Sequence, residues 1–297
     1  MSYDRAAHFA VDSTMLMLLH PVAQVGGGLS IHASTVVGSL ALGALYEWRA
    51  RQAPASAADG AHPGSPTTAQ RAMFFGALAV LLATLNGPLH DLSDTYLFSA
   101  HMVQHLVLEL VIPPLLIAGT PGWMLRPLLR PRGVRRLAEV ALRPVNCFAI
   151  FNVVLAAWHL PPLYNLALAE HPVHILQHLM FLSASVVMWW PLLSPMPELP
   201  RLSYPGQMLY CFLMTLPMSV VAVYITMADR VLYPLYAIAP RVAGISPLED
   251  QRYGGLVMWV PGGMFFYLVM SVVFWMWSRR GGDTREAAQV PAGARAA

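Results

Sequence analysis

Two stretches of this chain place paired imidazoles where chemistry could happen. His101-Met102-Val103-Gln104-His105-Leu106 and His174-Ile175-Leu176-Gln177-His178-Leu179 share the pattern H-x-x-Q-H-L, and both open long apolar runs. Residues four apart lie on one face of a helix, so each stretch presents two imidazoles in register with a glutamine beside the second. Ionisable side chains inside a membrane are costly to bury and by default face the interior of a bundle, where they mark function. Two such faces turned together would make one site from His101, His105, His174 and His178. Neutral imidazole suits copper, zinc, iron and nickel, whereas all-oxygen sets suit magnesium and calcium. Gln104, Gln177 and the nearby carboxylates Asp91 and Asp94 are placed to accept the second ring N–H and fix each tautomer. Methionines near the same level, Met258 foremost among them, add thioether ligands that favour Cu(I).

The elements that must position these residues are membrane helices. The 297-residue chain is 57% hydrophobic and 11% charged, with a mean hydropathy of +0.53. A soluble domain carries roughly a quarter charged residues. A net charge of +3 with no basic patch gives no sign of nucleic-acid binding. Cys147 and Cys211 lie far apart inside apolar runs and read as packed thiols rather than a disulfide or thiolate site. Runs close to the roughly 20 residues that cross a bilayer fall at about 29–48, 72–89, 97–118, 145–160, 173–193, 206–228 and 255–278, the fourth of them short. The expected fold is therefore all-α: a polytopic bundle of seven transmembrane helices over 29–280, preceded by an external segment 1–28 and followed by a disordered cytoplasmic tail 281–297. The amino terminus lacks the short apolar core and small-residue cleavage site of a signal peptide, so the first span is expected to stay in the mature chain.

Arginines set the orientation, because short cytoplasmic loops collect positive charge. Arg49, Arg51 and Arg71 follow the first span, Arg126 to Arg143 the third, and Arg279 and Arg280 the seventh, whereas the connection after the second holds Asp91 and Asp94 and that after the fourth only Glu170. The amino terminus is then outside and the carboxyl terminus inside. On this topology nearly every histidine lies towards the outer side, His90, His159 and His171 included, and His62 alone is cytoplasmic. An offset of 73 residues lays Pro88 on Pro161 and His101, Gln104, His105 and Leu106 on His174, Gln177, His178 and Leu179. Two copies of one hairpin, related by an axis along the membrane normal, would turn the two histidine faces towards each other.

The last span opens with Asp250-Gln251-Arg252-Tyr253-Gly254-Gly255-Leu256-Val257-Met258-Trp259-Val260-Pro261-Gly262-Gly263. Paired glycines allow close helix contact and Pro261 bends the span, with Asp250 the carboxylate best placed to assist the site. Together with H-M-x-Q-H-L at 101 and H-x-x-Q-H-L-x-F-L at 174, this D-Q-x-x-G-G-L-x-M-W-x-P-G run resembles the multi-spanning CtaG family of caa3-type cytochrome c oxidase assembly factors, over most of residues 12–280. The resemblance implies a seven-span protein of the bacterial plasma membrane that matures a haem-copper oxidase of the respiratory chain, at its copper centres. A single-span assembly factor of the same name carries paired cysteines on a soluble copper domain; the residues here give no expectation of such a domain, and thiolate transfer is not expected to carry over.

The expectation is a non-enzymatic metal chaperone that binds copper through His101, His105, His174, His178 and Met258 and passes it from a donor protein to an oxidase subunit with a copper centre. A rival from another class clamps haem between the paired histidines as axial ligands, giving a membrane cytochrome or a haem-handling protein. A proton-relaying transporter is disfavoured, because the imidazoles and carboxylates gather on one side instead of tracing a path across the bilayer.

Overall fold

The computed structural model describes residues 31–53, 64–242 and 244–289, with side chains to Arg280. The expected external segment 1–28, His8, His20 and His62, and the end of the expected tail lie outside these residues. All regular elements among them are helical. Apart from two short helical turns at Gly122–Leu125 and Arg126–Leu129, in chain order they are α1 (Ala33–Ala50), α2 (Thr68–Thr84), α3 (Pro88–Asp91), which runs into a π turn at Leu92–Tyr96, α4 (Phe98–Gly119) and α5 (Arg132–Ala141). They continue as α6 (Pro144–His159), α7 (Pro161–Ala169), α8 (His171–Leu193), α9 (Tyr204–Thr226), α10 (Pro234–Ile238) and α11 (Pro247–Gln289).

Prolines mark many of these starts. Pro88, Pro144, Pro161, Pro172, Pro205 and Pro234 sit in the first two helical positions, where the missing N–H has no intrahelical partner to lose and the fixed φ suits the helix. α2 starts instead on a capping box: Thr67 Oγ1 accepts from Gln70 N, and Gln70 Oε1 accepts from Thr67 N. Both copies of the sequence repeat show the same order of elements, a proline-opened short helix (α3 or α7) leading into a histidine-bearing span (α4 or α8).

By length and composition α4, α8, α9 and the Pro247–Arg280 part of α11 can each cross a membrane, and up to 6 spans result if two bent pairs each count as one. α2 with its continuation to Tyr96 bends by 45°, and α5 with α6 by 80°. Seven spans, the fourth of them short, were expected; the difference lies in polar and broken stretches. α1 carries Glu47 and Arg49 near its end and is not among the candidates. α5 buries no residue and alternates Arg132, Arg135, Arg136 and Glu139 with Val134, Leu137 and Val140, the pattern of a helix lying in the bilayer interface. α11 continues as helix to Gln289, into the segment for which the sequence favours disorder.

α9 packs along α11, α11 along α4, and α8 against both α6 and α4. A Cβ on Gly254 would overlap the Phe98 ring, and one on Gly255 the Thr226 hydroxyl, so the glycine pair sets how closely α11 approaches α4 and α9. Pro113 removes the donor that would serve the Glu109 carbonyl one turn earlier, and a π turn at Val107–Val111 precedes it. Trp189 of α8 supplies the missing donor, its Nε1 lying 2.8 Å from that carbonyl oxygen. At one end of the bundle Arg71 pairs with Glu47 at 2.6 Å, Arg126 with Glu198 at 2.7 Å, and the Arg280 guanidinium covers the Tyr204 ring. Histidines occupy the other end.

Asp250 has a structural place that the sequence did not suggest. Its Oδ2 accepts from Phe98 N at 2.6 Å and its Oδ1 from Ser99 N at 3.2 Å and Ser99 Oγ at 2.5 Å, so a carboxylate from α11 caps the start of α4. Gln251 alongside accepts from Leu232 N at 2.6 Å and holds the connection between α9 and α11. Asp250→Ala is expected to destabilise the protein by about 1–3 kcal/mol, read as a lowered thermal midpoint in detergent, with metal retained per folded molecule. Loss of metal at an unchanged midpoint would instead make Asp250 a ligand.

Candidate metal centre

The first turns of α4 and α8 bring all four repeat histidines together. His101, His105, His174 and His178 are between 0% and 9% exposed. Within each helix the i, i+4 pair points Nε2 at Nε2, at 2.8 Å for His101 and His105 and 3.1 Å for His174 and His178. Across the helices the His101 and His174 rings stack with centroids 5.5 Å apart at 14°, and His105 meets His178 edge-on at 5.6 Å. His101, His105 and His178 offer nitrogens within 4.8 Å of one another, and so do Asp94, His101 and His174 with one ligand atom each.

Hydrogen bonds around the rings assign the protons. Tyr236 donates its hydroxyl to the Ser93 carbonyl at 2.7 Å, so its oxygen accepts from His101 Nδ1 at 3.0 Å; the same carbonyl stands 3.4 Å from that nitrogen. The proton of neutral His101 is thus on Nδ1, and Nε2 presents its lone pair to the cluster. Asp94 Oδ2 stands 3.4 Å from His174 Nδ1 and 3.2 Å from His90 Nε2. A carboxylate only accepts, so a neutral His174 with its proton on Nδ1 would likewise aim a bare Nε2 inward. Gln104 completes the layer: its Nε2 donates to the Thr84 carbonyl at 2.9 Å and to His90 Nδ1 at 3.0 Å, and its Oε1 accepts from Ser93 Oγ at 3.0 Å. His90 must therefore donate from Nε2 to Asp94. Outer-nitrogen contacts of this kind orient metal-binding imidazoles and raise their basicity.

The residues fit a metal ion in chemistry and nearly in spacing. Two nitrogens on a tetrahedral ion at about 2.0 Å stand about 3.3 Å apart, so each pair needs only a few tenths of an ångström of opening. Loading would move the shared protons of His105 and His178 to their Nδ1 atoms. His105 Nδ1 is buried and has no hydrogen-bond partner among the described residues. His159 shows a related pattern on α6: its Nδ1 donates to the Leu155 carbonyl at 2.7 Å, while its buried Nε2 is without a partner there. Its ring centroid lies 6.0 Å from that of His105.

Other expected residues divide. Asp94 touches His174 directly, whereas Gln104 serves His90 and not the His101–His105 pair. Gln177 is buried on α8 and Asp91 half-buried at the end of α3. Met258 lies in the apolar core with Phe98, Met102 and Phe181, and Met227 and Met264 are more than half exposed. Cys147 and Cys211 are free, buried thiols. Tyr236 and Ser93 escaped the sequence reading: a tyrosine in a connecting loop and a serine between two aspartates carry no spacing signal. Tyr236→Phe keeps the ring and removes the acceptor for His101 Nδ1–H, and is expected to lower metal affinity about 10–100-fold, read by chelator competition on the folded variant.

Residues 42–280 match the family described as cytochrome c oxidase caa3 assembly factor (Caa3_CtaG). Two uncharacterized proteins, from Mycobacterium bovis and Mycobacterium tuberculosis, are each 25% identical over 200 residues, covering 62% of this chain and 30% of their own length. The chain thus spans less than a third of the curated relatives it matches. No solved structure matches. A family match that runs from α1 into α11 and takes in both histidine pairs and the Asp250 motif covers most of the described chain, and the protein belongs to the Caa3_CtaG family of cytochrome c oxidase caa3 assembly factors.

Proposed function

We propose that this protein binds copper at the cluster of His101, His105, His174 and His178 and delivers it to the nascent haem-copper oxidase. The observation that carries this reading is the gathering of four buried imidazoles, with Tyr236 3.0 Å from His101 Nδ1 and Asp94 3.4 Å from His174 Nδ1 to orient the two Nε2 atoms inward. Membership of an oxidase assembly family supplies the client. The residues act as a carrier: they bind and orient an ion and exclude water from it, and no bond of a substrate is made or broken. Haem fits less well. The His101 and His174 rings lie in direct contact, and the cavity beside them measures about 30 Å³, against the several hundred Å³ of pockets for drug-sized ligands.

The setting proposed is the bacterial plasma membrane, spanned seven times, with the histidine end external and the arginine end cytoplasmic. Structure and charge support this jointly, since Arg71, Arg126 and Arg280 gather at the end opposite the cluster. The short α6, about 24 Å long at 1.5 Å per residue, then meets α5 in the inner interface. A reporter fused after Arg280 is expected in the cytoplasm, and a tag in the 239–246 loop is expected to react with impermeant reagents on intact cells. A protected loop tag would overturn the assignment of the site to the outer face.

Cells lacking the protein are expected to make oxidase polypeptide with little activity, and added copper should restore part of it. Protein purified without chelator should contain copper and show no Soret band. Failure of copper to rescue, together with defective haem insertion, would replace this reading with the haem-handling one.

A further inference from the structure

The four repeat histidines are the inner part of a longer imidazole array. His32, His90, Asp94, His171, His174 and His178 line a cavity of about 30 Å³, enough for one water-sized body. Ring contacts run without a gap from the rim to the cluster: His171 to His32 at 6.0 Å, His32 to His90 at 4.3 Å, His90 to His174 at 6.3 Å and His174 to His101 at 5.5 Å. Exposure falls along the same path. His171 is exposed and His32 and Asp94 half-buried, His174 is 4% exposed and His101 not at all.

The potential ligand sets at the end of this path differ in chemistry and overlap in one residue. Asp94, His101 and His174 form an outer set with a carboxylate; His101, His105 and His178 form an inner set of imidazoles alone, with the Phe181 ring 4.6 Å from His105. Building on the copper reading above, we propose that these are two stations used in succession. The outer set takes the ion from the surface cavity, and the inner set retains it.

The shared residue makes the passage feasible. An ion that keeps His101 as a ligand can exchange Asp94 and His174 for His105 and His178 one at a time, and so is never stripped of all its ligands in an apolar interior. The carboxylate offsets the charge of the incoming cation when it is least solvated by protein, and after transfer it remains one imidazole away, against His174 Nδ1. An all-imidazole set suits Cu(I) better than a carboxylate does, which gives the transfer its direction without any change of oxidation state. Because both sets need His101, one chain holds one ion at a time.

Rapid-mixing spectroscopy on the purified full-length protein tests this, with Cu(I) supplied as its coloured bicinchoninate complex. Wild type should take up one ion per chain. Asp94→Asn, which keeps the shape and an acceptor oxygen, and His171→Ala at the rim should each slow loading, Asp94→Asn at least tenfold, with a much smaller effect on release. His178→Ala should load at the wild-type rate and release at least tenfold faster. Wild-type loading rates in both Asp94→Asn and His171→Ala would overturn the outer station while leaving copper binding intact; if Asp94→Asn does not fold, His171→Ala decides alone. Two ions per chain would also overturn it. A wild-type protein that takes up no Cu(I) removes the copper reading itself, and the two stations with it.

Discussion

Everything at the histidine end depends on where two protons sit. An imidazole offers a lone pair inward most readily when its own N–H is accepted on the other side, and two of the four rings have such an acceptor beside them. For His174 the acceptor is Asp94, carried on the π turn between α3 and α4; for His101 it is Tyr236, carried on α10. Each acceptor is itself tied down. His90 stands against Asp94, and the Ser93 carbonyl holds the Tyr236 hydroxyl. The connection that presents α10 is fixed in turn by Gln251, next to the aspartate that caps α4.

The inequality of these two acceptors follows from the repeat. The offset that lays His101 on His174 lays Asp94 on Ala167. Asp94 of the first copy reaches the histidine of the second, but Ala167 has nothing to return. A residue from outside the repeat takes its place, which explains why a loop between α9 and α11 is folded into a site otherwise built from two hairpins. The carboxylate stands against the His174–His178 pair alone, so the cluster has a charged side and a neutral side.

Much of this was legible in the sequence. The pattern H-x-x-Q-H-L fixes both imidazoles on one face wherever a helix forms, and the arginine distribution separates the ends of the bundle. What escaped was set by contacts between distant parts of the chain. Asp250 lies 152 positions from the Phe98 N–H that it accepts, and nothing local distinguishes such a capping carboxylate from a ligand. Tyr236 lies 135 positions from His101. The seven-span count is not reproduced by length and composition for a different reason: α2 and its continuation bend by 45°, the short α6 meets the charged α5 at 80°, and α1 has a charged end.

The bond between the Trp189 indole and the Glu109 carbonyl has a consequence for how the cluster can change shape. It joins the two histidine-bearing helices well below the site, at the point where Pro113 has released a backbone oxygen. Sliding α4 past α8 would break it, whereas tilting their outer ends apart would not. At about 1 kcal/mol such a bond does not lock the helices, but it resists a change in the relative height of the two histidine pairs more than a widening between them.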